Sequence, residues 1–212
     1  MSGRFLLSDT HIGHKNIAKF RTMRKLEQPK LKWNPEGIDK NRPENNLVPM
    51  VSEDHWERAF EGIEKLNKRD TLFMLGDMVI DKNYLPRMRE VGCRKVLIVG
   101  NHDCYEGRGI TMQDLVDTYD QVIALHKYKG FWMSHAPIHP MELRGKRNLH
   151  GHTHPYLMLN EDGTQDTRFI NCCVEYTSYT PITFEYATSE EYQQECWKKW
   201  KGVYEPEWRD RD

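Results

Sequence analysis

Five short segments carry side chains that could do chemistry: Asp9-Thr10-His11, Gly76-Asp77, Gly100-Asn101-His102-Asp103, Ser134-His135 and Gly151-His152-Thr153-His154. They supply seven candidate metal ligands, Asp9, His11, Asp77, Asn101, His135, His152 and His154. Two carboxylates, an amide and four imidazoles without a thiolate suit Mn²⁺, Fe or Zn²⁺. The set argues against an all-oxygen Ca²⁺ cage or a cysteine-type structural zinc. Seven ligands exceed what one tetrahedral ion takes, so two ions sharing a bridging carboxylate are the natural reading. A pair about 3.5–4 Å apart can hold a bridging hydroxide at neutral pH and neutralise charge on phosphoryl oxygens.

Each segment alone has an ordinary explanation as a turn, an N-cap cluster or a strand end. Together they are harder to dismiss, and three of the ten histidines fall within His150–His154. In Asp9-x-His11 and His152-x-His154 the paired side chains are two apart. An extended backbone would aim both at one centre.

The first four segments each follow an apolar run that reads as a strand. In α/β sheets, ligand sites collect beyond the carboxyl ends of strands. Short apolar runs alternating with amphipathic stretches indicate the α/β class. Expected strands are residues 4–8, 71–75, 95–99, 122–125, 130–134, 156–159, 168–172 and 182–186, with a turn at Asp162-Gly163. Expected helices run from Ser52 to Lys68, Tyr84 to Val91 and Ser189 to Trp200. Residues 1–200 read as one domain, with a Pro-, Asn- and Lys-rich surface excursion at about 26–50 and a charged tail at 201–212.

Thirty-one basic residues nearly cancel 32 acidic ones, for a net charge of −1. That balance leaves no global footprint for nucleic acid or an anionic membrane, although a local basic groove stays open. No apolar run approaches the ~20 residues that span a bilayer. The first seven residues are too short for a signal peptide. The five cysteines, without CxxC spacing, read as reduced packing residues of a cytoplasmic protein.

In this order the motifs D-x-H, G-D, G-N-H-D, H and G-H-x-H resemble the signature of the calcineurin-like metallophosphoesterases. Ser8-Asp9-Thr10-His11-Ile12-Gly13-His14, and the stretch from Asn171 to Thr183, look like a small bacterial and phage branch of that superfamily. The resemblance implies two packed mixed β-sheets flanked by helices, a four-layer αββα sandwich. It implies that Asp9, His11 and His154 hold one divalent ion, that Asn101, His135 and His152 hold the other, and that Asp77 bridges. Mn²⁺ is favoured, with Fe, Zn²⁺, Ni²⁺ or Co²⁺ also admissible. His102 would contact the phosphate and assist the leaving oxygen, a role suited to imidazole near neutral pH.

One departure stands out. Phosphoprotein phosphatases of the family read G-D-x-x-D, the second Asp orienting the histidine, whereas Ile80 occupies that place here. Asp81, one residue late, and Asp103 are the candidate orienting acids, and a protein phosphatase role is less expected. His14, three residues past His11, is either a substrate-phosphate contact or an exposed loop histidine.

The expected activity is two-metal hydrolysis of a phosphodiester or phosphomonoester, on a nucleotide or a nucleic-acid end. A metal-dependent nuclease is the alternative within that class, and a metal-binding interaction protein without catalysis the alternative outside it. Lys25, Lys30, Lys32, Lys40, Arg42 and Trp33 could offer cations and a stacking surface to a nucleotide, or form only a solvated loop.

Overall fold

The computed structural model describes residues 2–17, 21, 52–104 and 109–204. The excursion at 26–50, with Trp33 and its basic residues, and residues 205–212 of the expected tail at 201–212 lie outside the described residues.

Among the described residues nine strands form two sheets: β1 (Arg4–Leu7), β2 (Thr71–Met74), β3 (Arg94–Ile98), β4 (Gln121–Ile123), β5 (Leu125–Tyr128), β6 (Phe131–Ser134), β7 (Arg147–His150), β8 (Phe169–Asn171) and β9 (Ile182–Thr183). One sheet has the order β4-β3-β2-β1-β9, the other β5-β6-β7-β8. β1 to β4 run parallel and β9 antiparallel; β6 to β8 run parallel and β5 antiparallel. Both sheets are therefore mixed, and helices flank them, as the α/β reading requires.

The central strands read as unbroken apolar runs because both of their faces are covered. Leu7, Leu72, Met74 and Leu97 join Trp56, Ala59, Phe60 and Ile63 of the helix Ser52–Ile63 in one cluster. Their neighbours Leu6, Phe73, Val96 and Ile98 point the other way. They meet Met133, Leu149 and Ile170 of the second sheet, together with Phe184, Tyr192, Cys196 and Trp200. The period-two alternation of each strand thus separates a sheet–helix core from a core shared by both sheets.

Several elements differ from expectation, each for a local reason. The first helix ends at Ile63, five residues early. Residues 156–159 form no strand; only Leu159 bridges Gln165, across the Asp162-Gly163 turn. The run at 182–186 pairs for two residues, and Thr183 Oγ1 then caps the helix Phe184–Ala187 by accepting from Tyr186 N at 3.2 Å. β7 is hidden in the sequence by its polar residues. Buried Asn148 fits there because its amide donates to Ser134 Oγ and accepts from Ile138 N, at 3.0 Å each. The helix expected from Ser189 is present, with Ser189 capping Glu190–Lys199 and Tyr192 and Cys196 turned inward, and a π-helical turn over Trp200–Tyr204 follows it.

Candidate metal centre

All the parallel strands that carry motif segments point their carboxyl ends at one place. Beyond β1 and β2 the two chains stay zipped: Asp9 N donates to Gly76 O, His11 N to Asp77 O and Ile12 N to Met78 O, at 2.9–3.0 Å. Asp9, His11, Asp77, His152 and His154 have φ between +50° and +68°. Five of the seven candidate ligands thus sit in the left-handed region, where a non-glycine residue costs on the order of 1 kcal/mol or more. This corrects the extended-strand expectation for Asp9-x-His11 and His152-x-His154. The paired side chains converge through left-handed kinks at both members, a conformation Asp and His tolerate better than most residues. Two glycines make the approach feasible. A Cβ on Gly76, itself at φ +91°, would collide with the His135 ring, and one on Gly151 would overlap Ser8 Oγ and Asp9 Oδ2.

Asp9 is fully buried and divides its carboxylate between two tasks. Oδ2 accepts from Ser8 Oγ at 2.5 Å, His152 N at 2.9 Å and Cys173 Sγ at 3.2 Å. Oδ1 has no hydrogen-bond partner among the described residues, and neither ring nitrogen of His11 has one. Oδ1 lies 3.7 Å from both His11 Nε2 and His154 Nε2. Donors about 2.1 Å from a common ion are about 3.6 Å apart at an angle near 120°. The spacing is too wide for hydrogen bonds and fits three ligands of one ion, and a buried polar atom left in this way calls for a cation.

A second group packs more tightly. Asn101 Oδ1 is 3.0 Å from His135 Nε2 and 3.0 Å from His152 Nδ1, and the two imidazole nitrogens are 3.1 Å apart. His135 Nδ1 lies 2.8 Å from Leu75 O, so in the neutral ring it donates there and turns the Nε2 lone pair toward Asn101. Donors about 3.0 Å apart subtend a right angle at an ion about 2.1 Å away, the edge of an octahedral face. Asp77 Oδ2 connects the groups, 3.6 Å from His11 Nε2 and 3.4 Å from His135 Nε2, while Asp77 Oδ1 accepts from His102 N at 2.8 Å. The seven candidate ligands therefore come together, and the donor set fits two divalent ions.

The charges respond to this crowding. Burial works against the ionised form of Asp9, but the surrounding imidazoles hold its carboxyl far below the usual carboxylate range. Burial pushes His11 down to about 4. Burial also opposes protonation of His135, yet Asp77 and Asp9 outweigh it and hold that ring up at about 9. Burial raises Asp103 to about 6, with the neighbouring Asp77 charge acting in the same direction.

The two candidate orienting acids are committed to backbone. Asp103 accepts from Asp77 N, Gly100 N and Met78 N at 2.7–2.9 Å, clamping the β2 turn to the β3 turn. Asp81 caps the short helical turn Lys82–Tyr84 by accepting from Asn83 N. Ile80 is buried in the core. The His102 and His14 rings have centroids 5.7 Å and 6.0 Å from that of His11. His150 is buried beneath the loop, its Nδ1 2.8 Å from Gly151 O.

Residues without a motif complete the site. Buried Glu175 Oε1 accepts from His154 Nδ1 at 2.9 Å and from Arg21 Nε at 3.1 Å. Asn171 Nδ2 reaches Thr153 Oγ1 and the carbonyls of His154 and Tyr156, holding the His152–His154 loop. Asn171 and Glu175 fall within the family-like stretch from Asn171 to Thr183, but nothing in their spacing assigns them to the site, and nothing marks Arg21.

The chain belongs to the calcineurin-like phosphoesterase family, whose model spans residues 5–207. The family's chemistry is metal-dependent phosphoester hydrolysis. The chain is 25% identical over 193 residues to the uncharacterized protein MJ1445 of Methanocaldococcus jannaschii, covering 85% of this chain and 86% of that one. Among solved structures it is similar to AQ665 of Aquifex aeolicus, a protein of unknown function, with a TM-score of 0.54, 22% identity and coverage of 87% and 97% of the two chains. A nuclease, MPE of Pseudomonas putida, aligns with a TM-score of 0.36 at 19% identity over 76% of this chain and 66% of that one. Among the described residues, no helix is long and apolar enough to cross a membrane.

Proposed function

We propose that this site binds two divalent ions, with Mn²⁺ favoured, and hydrolyses a phosphodiester of a nucleotide or a nucleic-acid end. The observation that carries the reading is Asp77 Oδ2, which lies within 3.6 Å of imidazole nitrogens from both ligand groups. Asp9, His11 and His154 would hold one ion, Asn101, His135 and His152 the other, and Asp77 both. When bound, the ions supply Lewis acidity toward the phosphoryl oxygens and activate water.

The chain's own groups do the rest. Asn101 and His152 are exposed and form the side a substrate meets first. His102, half-buried next to His11, contacts the phosphate and passes a proton to the leaving oxygen. That proton spares the reaction a poor alkoxide leaving group. His14, next to His11, also contacts the phosphate. Residues 1–200 act as one domain, and the five free cysteines fit a reducing compartment.

The test is turnover of bis(p-nitrophenyl) phosphate with added Mn²⁺, abolished by a chelator and restored by metal. No turnover with Mn²⁺, Fe²⁺, Co²⁺, Ni²⁺ or Zn²⁺ would overturn the enzymatic reading. A panel of cyclic and linear nucleotides beside labelled single strands separates a small-nucleotide diesterase from a nuclease.

A further inference from the structure

The two ligand groups each orient an imidazole, buried His135 in one and half-buried His154 in the other, by different means. In the group around Asn101, His135 Nδ1 faces a neutral acceptor, Leu75 O. In the group around Asp9, His154 Nδ1 faces a carboxylate, Glu175 Oε1, at 2.9 Å. Glu175 is itself held by Arg21 Nε, and the Arg21 and Glu175 side chains are 2% and 1% exposed. The remaining Arg21 nitrogens donate to Thr10 O at 3.2 Å and to Asp9 O. One buried arginine thus ties the backbone of Asp9 and Thr10, after β1, to the carboxylate after β8 that steers the histidine after β7.

We propose that Glu175, clamped by Arg21, is a positioning residue that selects the His154 tautomer and so sets the affinity of the deeper metal position. The inference rests on the two-metal reading above. With its proton on Nδ1 and donated to Glu175, His154 presents an Nε2 lone pair toward Asp9 Oδ1, 3.7 Å away. The opposite tautomer would place an N–H where a ligand is needed. The buried carboxylate also increases the electron density on the ring, and carboxylate–histidine pairs of this kind strengthen metal binding. Arg21 balances the Glu175 charge, which would otherwise be costly at this depth. It also keeps the Asp9 turn in register with His154.

The test uses the full chain and two variants. In Arg21→Met/Glu175→Met the buried pair gives way to apolar side chains of similar volume, a replacement that often leaves folding intact. Glu175→Gln keeps volume and an acceptor but removes the charge, so it reports even where the double variant is unfolded. Zn²⁺ binding is followed by calorimetry and Co²⁺ binding by its visible absorption, neither of which depends on turnover. The wild type is expected to show two binding steps. In the variants one step weakens by about 10- to 100-fold, with a changed Co²⁺ spectrum for that ion, and the other step stays as it was. A folded variant with both steps unchanged, or with both weakened alike as a merely structural role would produce, overturns the proposal. A single step in the wild type would instead overturn the two-metal reading itself.

Discussion

The two halves of the candidate centre are built from similar ligands in dissimilar settings. Asp9 and His11 are closed off from solvent, and their half leaves buried nitrogens and an oxygen 3.7 Å apart without partners. Asn101 and His152 are exposed, and their half brings its donors to 3.0–3.1 Å. The deep half is anchored by the charged Glu175–Arg21 pair, whereas in the open half His135 is turned by the main-chain carbonyl of Leu75. On the two-metal proposal, this difference predicts a division of labour: a tighter ion in the Asp9–His11 half and a more exchangeable one beside the exposed Asn101 and His152.

The largest test of that division is Asp77→Asn, which weakens the one ligand both halves share. It should lower kcat/KM by at least about a hundredfold, since charge stabilisation by the ions is worth several kcal/mol, and should lower the occupancy of both positions. Retention of both ions would break the comparison at its joint. Next comes His102→Ala, expected to cost about 10²- to 10⁴-fold in kcat as the loss of a general acid does, with metal content unchanged by elemental analysis. Loss of metal in that variant would make His102 a ligand instead.

The halves themselves are contrasted by His152→Ala and His11→Ala. The first should weaken one ion by about tenfold to a hundredfold and be partly rescued by excess metal. The second should lose the deep ion at concentrations that still fill the open position. Equal responses would erase the distinction. Gly76→Ala forces a Cβ against the His135 ring at a positive φ, and should lower folding stability by about 1–3 kcal/mol, read as a drop in thermal midpoint without metal. His14→Ala carries the smallest effect, a rise in KM under about tenfold with kcat kept, equivalent to at most about 1.4 kcal/mol of binding.

How much of this was legible before any coordinates follows the same physics. The strands that carry Asp9, Asp77 and Asn101 were plain because covered parallel strands are apolar throughout. The ligand motifs were plain because His and Asp clustered after such strands have few other uses. β7 is not plain in the sequence, since Asn148 and His150 are polar, and the Asn148 amide is satisfied by Ser134, a partner that only the fold brings near. Glu175 lies inside the family-like stretch from Asn171 to Thr183, but its role depends on His154 and Arg21, 21 and 154 positions away, and no motif marks Arg21. The two-apart spacing of Asp9 and His11 pointed to the right convergence for the wrong reason, with left-handed residues in place of a pleat.

The measurement that tests the central claim most directly is electron paramagnetic resonance of the Mn²⁺-loaded protein, alongside its metal content. The account predicts two ions per chain and an exchange-coupled spectrum, because one carboxylate spans both positions, with the coupling lost in Asp77→Asn. One ion per chain, or two with the spectra of isolated Mn²⁺, would contradict it.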